Sequence, residues 1–158
     1  ETVTEVRVRW VPEATLLCLE RVVAGDEIPN AIRDDSERLY QHIRQAGAGT
    51  PREMTVMYHG GASPDGSRRM EVCVEPARPV DPFEGASVRT EPAHREAYTR
   101  LLKSEVKMPD IMHAFDAVKA WIEANDMRVV GSAREVYLDD WDALTHDDAA
   151  CDVVIPVE

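Results

Sequence analysis

The chain has 158 residues, of which 44% are hydrophobic and 30% charged, and its formal net charge at pH 7 is −12. This length and composition are typical of one globular domain, spanning residues 1–158, that can bury a sizeable core. The sequence contains no apolar run long enough to span a bilayer, and its acidic charge without a basic stripe argues against nucleic-acid binding and favours cationic ligands.

The cysteines and histidines give no sign of a metal site. Cys18, Cys73 and Cys151 lie in apolar runs and form no CxxC pair, so we interpret them as buried free thiols in a reducing, cytoplasmic setting. The five histidines show no metal-ligand spacing, and the common catalytic and nucleotide-binding motifs are absent from the sequence. The sequence therefore predicts no metal and no cofactor.

The first half of the chain has the pattern of a strand, a helix and two further strands. Pro12 bends or breaks the first strand, because proline cannot donate to a sheet ladder. The helix opens at Pro29-Asn30 and runs to about residue 46, since apolar residues recur there at helical spacing and Gly47 follows. Strand segments are predicted at 4–9, 14–23, 55–58 and 70–74.

The same order returns after a connector at 76–85 that contains three prolines. The second helix opens at Pro109-Asp110 and ends near Asn125, with an apolar stripe at helical spacing. Residues 139–150 form an acidic loop. Strand segments are predicted at 88–89, 97–106, 135–138 and 151–157.

Matching segments in the two halves recur at a nearly constant offset. Pro12 and Pro92 are 80 residues apart, as are 55–58 and 135–138, and 70–74 precedes 151–155 by 81. Such periodicity indicates an internal repeat. We therefore predict an α+β fold of two βαββ repeats, at about 4–76 and 86–157, related by a pseudo-twofold axis. Its antiparallel sheet would carry both helices on one face, with a ligand cleft between the halves.

The strand at 134–138 carries the main candidate site. Because successive side chains of a strand point to opposite faces, Glu135 and Tyr137 share one face, while Val136 and Leu138 face a hydrophobic layer. A carboxylate next to an aromatic ring suits a cationic or aromatic ligand. The alternative is an ordinary solvated glutamate on an exposed sheet face.

Other parts of the chain are predicted to contribute to the same site. Thr55 and Met57 occupy the positions of Glu135 and Tyr137 in the first repeat, and we expect them to approach the pair across the seam. Trp141, in the acidic loop, is a candidate lid over the ligand.

Several segments resemble the GyrI-like domain: the helix end Ala-Trp-Ile-Glu-Ala-Asn, the strand Arg-Glu-Val-Tyr-Leu, the closing Val-Val-Ile-Pro-Val and a proline near the start of each repeat. The resemblance covers essentially the whole chain. This family provides the small-molecule effector-binding domain of multidrug-responsive transcription activators of the MerR and AraC types, and also occurs as stand-alone proteins. It implies the duplicated βαββ fold and an acidic residue at the floor of an aromatic-lined pocket for lipophilic cations.

Carried over by position, the acidic residue is Glu135, with Tyr137 beside it. Ile111 and Val106 fall where family members often place aromatic rings, which implies a pocket less suited to flat cations. The predicted ligand-binding residues are Glu135, Tyr137, Tyr98, Met57, Ile111, Val106 and Trp141.

Three functions are compatible with the resemblance. The first is a ligand sensor for small lipophilic or cationic molecules, belonging to a transcription regulator or to a stand-alone drug-binding relative. The second is a hydrolase of cyclopropane-bearing alkylating agents, in which Glu135 acts as base and Tyr137 or Tyr98 as hydrogen-bond donor. The third is an interaction protein similar to a gyrase inhibitor. The sequence shows no helix-turn-helix, so a DNA-binding domain would be fused or separate, and neither nucleic acid nor membrane is an expected direct partner.

We predict that the isolated chain has no measurable affinity for duplex DNA at physiological salt, because it lacks the basic patch that neutralises phosphates. An electrophoretic mobility-shift titration should leave the DNA unshifted. A salt-dependent shift with a submicromolar midpoint would contradict this prediction.

Overall fold

The protein is described here by a computed structural model of residues 5–51 and 53–158. It is an α+β protein with antiparallel strand pairing, as the sequence predicts, and the chain divides into two compact units. One unit is the continuous segment Glu13–Pro92, and the other joins the chain up to Pro12 with Ala93–Glu158. The predicted start of the first repeat, residue 4, lies outside the described residues.

The observed elements agree with the sequence prediction in type and order. The strand predicted at 97–106 ends at Leu102, because Lys103–Glu105 form a 3-10 turn in which the Glu105 carboxylate accepts the Leu102 N–H at 2.8 Å. Neither helix in the described part of the chain has the length and hydrophobicity needed to cross a membrane. In chain order the elements are β1 (Arg7–Val11), β2 (Ala14–Val23), α1 (Ile28–Gln45), β3 (Met54–His59), β4 (Arg68–Val74), β5 (Ala86–Glu91), β6 (His94–Leu102), α2 (Asp110–Ala124), β7 (Arg134–Tyr137) and β8 (Ala149–Val157).

The continuous unit is a four-stranded sheet covered on one face by α1. Its strand order is β5-β2-β4-β3, with every pair antiparallel. Helix α1 has a proline in its first turn and packs against β2 and β4. Gly47 follows the helix with φ +64°, a backbone conformation that glycine adopts without steric cost. The buried positions of α1 recur every fourth residue and form one stripe: Ala31, Asp35, Leu39 and Ile43.

The second unit repeats this arrangement with α2. Its strand order is β1-β6-β8-β7, again antiparallel throughout, and α2 packs against β6 and β8. Trp121 is partly buried and packs against the core of this unit. The buried core consists of Ala97, Leu101, Ala114, Phe115, Val118, Ile122, Val153, Ile155 and Val157.

The first strand of each predicted repeat pairs with the second strand of the other repeat. Strand β1 pairs with β6, in register from Arg7 opposite Tyr98 to Val11 opposite His94. Strand β5 pairs with β2, from Ala86 opposite Leu19. The repeats at 4–76 and 86–157 stay a prediction, but neither segment contains all four strands of one unit.

The sheet face away from the helix carries buried charges in each unit. In one unit, Arg9 on β1 donates to Glu96 at 2.8 Å and to Asp152 on β8 at 2.7 Å. In the other, Arg89 on β5 donates to Glu71 on β4 at 2.9 Å. Asp152, Glu96 and Glu71 are all buried, so these ion pairs compensate carboxylates that have lost their hydration.

We expect Leu39→Ala to lower the free energy of unfolding by about 2–5 kcal/mol, because Leu39 is fully buried between α1 and its sheet. Leu102→Ala is the matched control, since Leu102 is 37% exposed and its truncation should cost less than about 1 kcal/mol. Urea denaturation followed by circular dichroism measures both losses. Equal losses would contradict the packing assigned to α1.

Candidate functional site

Strand register places Glu135 and Tyr137 on the sheet face that α2 covers. Glu135 lies opposite Val153 and Tyr137 opposite Cys151, and directly opposed residues of an antiparallel pair point to the same face. Val153 belongs to the core that includes α2. Val136 lies opposite Asp152 on the other face, so the hydrophobic layer expected beneath Val136 is on the side of Glu135 instead.

Glu135 is a buried carboxylate held by a phenol hydroxyl. It is 5% exposed, and the Tyr137 hydroxyl donates a hydrogen bond of 2.7 Å to its Oε1. Burial, followed by the negative charge of Glu135, raises the pKa of the Cys151 thiol. The carboxylate is therefore positioned by its neighbour and not left in solvent, which removes the alternative of an ordinary solvated glutamate.

Trp141 extends the aromatic surface beside Tyr137. It begins the 3-10 turn Trp141–Ala143, and the two rings meet edge to face with centroids 6.2 Å apart and an interplanar angle of 73°. The Lys103 ammonium lies 4.9 Å from the centroid of a Trp141 ring. It also donates to the carbonyl oxygens of Trp141 at 2.7 Å and Leu144 at 2.9 Å. Lys103, which the sequence did not suggest, thus anchors the segment that carries Trp141.

Three of the other predicted residues belong to the same unit as Glu135, and one of the three lies on the other face of its sheet. Ile111 and Val106 pack against the core cluster and are partly buried. Tyr98 lies opposite Val154, on the face away from α2, where the Arg9 guanidinium sits 4.0 Å from its ring centroid. The structure does not bring Tyr98 to Glu135, because the sheet separates them.

Met57 lies on the face of its sheet away from α1. It is opposite Glu71, and Thr55 is opposite Cys73, whereas Val56 is opposite Val72. Among the residues of β3, Val56 therefore occupies the place that Glu135 has in β7, opposite a valine on the helix side. The sequence offset of 80 residues, which matches Met57 to Tyr137, is therefore wrong by one residue at this strand. Met57 lies on the sheet face away from the helix, whereas Tyr137 lies on the helix side.

A second group of reactive side chains surrounds Met57. Cys18 on β2 and Cys73 on β4 are direct cross-strand partners, and their sulfur atoms and a Glu71 oxygen lie within 4.8 Å of one another. Hydrogen bonding with Cys18 and burial raise the pKa of the Cys73 thiol. Sequence spacing missed this group, because its members meet only through the β2–β4 register. Each cysteine lies between two apolar residues of a strand, and this alternation could have indicated that both cysteines point away from the apolar face.

Glu71 is the charged member of this group. Burial raises the pKa of its carboxyl, but hydrogen bonds from Arg89 and His59 outweigh burial and hold the pKa below its usual value. The His59 Nε2 lies 2.9 Å from Glu71 Oε1. Glu71 is therefore the ionised partner of Arg89.

A family model for the GyrI-like small molecule binding domain matches residues 4–158. The chain belongs to this family. The GyrI-like domain thus accounts for nearly the whole sequence, in agreement with the resemblance of its helix end and closing strands. No curated protein matches the chain in sequence.

Solved structures share the fold at low identity. The C-terminal domain of EcmrR has a TM-score of 0.75 and 16% identity, with 99% of each chain covered. In the EcmrR–DNA complex the TM-score is 0.80 at 16% identity, over 98% of this chain and 57% of the EcmrR chain. This chain thus spans little more than half of the EcmrR chain.

Two further solved structures with this fold are named for an activity or a ligand. A hydrolase from Listeria innocua has a TM-score of 0.69 and 10% identity, over 98% of this chain and 92% of that one. SAV2435 bound to tetraphenylphosphonium has a TM-score of 0.56 and 15% identity, over 98% of this chain and 94% of that one. At these identities the comparison establishes the fold alone.

We expect Tyr137→Phe to lower the free energy of unfolding at neutral pH by about 1–3 kcal/mol, because the buried Glu135 carboxylate loses a hydrogen-bond donor. Tyr98→Phe is the matched control, since it keeps the ring that Arg9 contacts. Thermal and urea unfolding of both variants measure the difference. If the two changes have the same effect, the hydrogen bond between Tyr137 and Glu135 contributes nothing specific.

Proposed function

We propose that this GyrI-like domain binds lipophilic cations, with Glu135 as the compensating charge. It would serve as the ligand-sensing domain of a transcription regulator or as a stand-alone drug-binding relative. The observation that carries the proposal is the buried Glu135 carboxylate, 5% exposed and hydrogen-bonded by Tyr137. The Tyr137 hydroxyl orients the carboxylate. A bound cation would pair with the carboxylate inside a weakly polar environment, where charge pairing is strong.

The aromatic pair supports a cationic ligand. The faces of Tyr137 and Trp141 carry the negative side of the ring quadrupole, which attracts cations. Lys103 already places its ammonium 4.9 Å from a Trp141 ring centroid. This contact supports the view that the ring suits a positive charge, although a ligand would use a different part of its surface.

The negative charge around Trp141 also favours a cationic ligand. Asp139, Asp140 and Asp142 flank Trp141 and are exposed. Together with the net charge of −12, they would raise the local concentration of cations and speed their association. Ile111 and Val106, which pack against the core near the start of α2, offer aliphatic surface, so the ligand we expect is lipophilic as well as charged.

Hydrolysis is the second candidate, and the hydrogen bond between Glu135 and Tyr137 is the observation that favours it. A carboxylate paired with a phenol provides a base and a proton donor within reach of one another. The water would be activated by Glu135 and the leaving group stabilised by Tyr137. Tyr98 is excluded from this role by its position on the opposite sheet face.

We expect Glu135→Gln to weaken the binding of tetraphenylphosphonium by at least about tenfold, since tenfold is roughly 1.4 kcal/mol and unpairing a buried charge costs about 2–5 kcal/mol. The glutamine keeps the shape and one acceptor, so folding should be nearly unchanged. Binding of triphenylphosphine oxide, a neutral aryl compound, should change little. Isothermal titration calorimetry of both compounds against both proteins gives the comparison.

Glu123→Gln is the matched control, because Glu123 is exposed on α2 and its removal changes the net charge by the same amount. It should leave the cation affinity within about twofold, as expected of a screened surface charge. Equal losses for the cation and the neutral compound in Glu135→Gln would assign Glu135 a structural role and contradict the proposal. Conversion of an electrophilic cyclopropane substrate by the parent, lost in Tyr137→Phe, would instead favour the hydrolase.

A further inference from the structure

Three sulfur-containing side chains cluster on the sheet face away from α1. Cys18, Cys73 and Met57 form one buried cluster, with the cysteines 1% exposed and Met57 2% exposed. Cys18 and Cys73 face one another across β2 and β4. Because their sulfur atoms lie within 4.8 Å of each other, a single ion between the strands can contact both.

A charged shell surrounds the three sulfur atoms. The Arg89 Nη2 lies 3.3 Å from Met57 Sδ and 4.0 Å from Cys73 Sγ, and it donates to Glu71 Oε1 at 2.8 Å. His59 also contacts Glu71 Oε1, at 2.9 Å. The group is therefore a built site, with sulfur donors inside and a fixed ion pair beside them.

We propose that Cys18 and Cys73 bind a soft monovalent metal ion of the Cu(I) class, with Met57 as a third sulfur donor. Thiolate and thioether ligands select such ions over harder cations. Binding replaces the two thiol protons, which pass to solvent, by two sulfur–metal bonds. Two thiolates and one monovalent ion leave one negative charge, which would lie beside the Arg89 guanidinium that also pairs with Glu71 and Glu91.

The shell favours Cu(I) over zinc. Structural zinc is almost always bound by four ligands in a tetrahedral arrangement. Glu71 is a poor fourth partner, because Oε1 already accepts from Arg89 and His59 while Oε2 accepts from Arg89 at 2.9 Å. A two- or three-sulfur site needs no oxygen ligand. Entry is possible from the side of Arg89, whose side chain is 31% exposed.

The test is an anaerobic titration of the chain with Cu(I) in competition with a coloured Cu(I) chelator. The parent should bind one equivalent with a high affinity. Cys18→Ala and Cys73→Ala should each weaken binding by well over about tenfold, and Met57→Leu by about tenfold, the range seen when metal-site residues are removed. Cys151→Ala is the matched control, because Cys151 is an equally buried thiol outside the cluster, and it should bind as the parent does.

Unchanged Cu(I) binding in Cys73→Ala, or an equal loss in Cys151→Ala, would overturn the proposal. If the alanine variants do not fold, X-ray absorption of the Cu(I)-loaded parent decides. A first shell of two or three sulfur atoms supports the site, and one dominated by nitrogen or oxygen overturns it. Tighter binding of Zn²⁺ than of Cu(I) would overturn the assignment of the metal class. None of these results depends on whether Glu135 binds a cation.

Discussion

A buried ion pair ties the outer strand of each sheet to the strand two places away. Arg9 on β1 reaches past β6 to Asp152 on β8, and Arg89 on β5 reaches past β2 to Glu71 on β4. Loss of either arginine removes a charged hydrogen-bond donor from a buried carboxylate, while Arg100 still donates to Asp152 and His59 still contacts Glu71. The arginines therefore fix which face of each short outer strand turns away from the helix. In β1 this orientation turns Val8 towards the core that includes α2.

Glu71 and Glu135, two of the buried glutamates, accept hydrogen bonds from different kinds of donor. Glu71 accepts hydrogen bonds from a guanidinium, which cancels its charge within the protein. Glu135 accepts a hydrogen bond from the Tyr137 hydroxyl, which orients the carboxylate beside the rings of Tyr137 and Trp141. The ligand proposal therefore rests on Glu135 with its aromatic neighbours, and the metal proposal rests on the sulfur atoms beside Glu71.

The order of elements could be predicted from the sequence, and the facing of the site residues only in part. The helices could be predicted because the apolar periodicity around Leu39 and around Val118 is a local signal, and both helices are present in the structure. The prolines that recur at a fixed offset are a local signal of the same kind. Facing depends on strand register, which a one-residue shift reverses. Val136 was expected to face a hydrophobic layer but lies opposite Asp152. Tyr98 was expected beside Glu135 but lies on the other face of the sheet. Cys18 and Cys73 are neighbours only because β2 pairs with β4, a relation that spacing along the chain does not express.

The crossed pairing of β1 and β5 bears on how such a chain could have arisen. In this chain β1 pairs with β6 and β5 pairs with β2. A single βαββ repeat on its own would therefore lack the strand that pairs with its first strand and the strand that pairs with the outer edge of its second strand. Two copies could satisfy each other by exchanging first strands, which is domain swapping between identical chains. Joining two copies end to end would convert that exchange into pairing within one polypeptide and remove its dependence on concentration. The buried cysteine pair lies in the unit Glu13–Pro92, whereas the Glu135 carboxylate and its aromatic neighbours lie in the other unit.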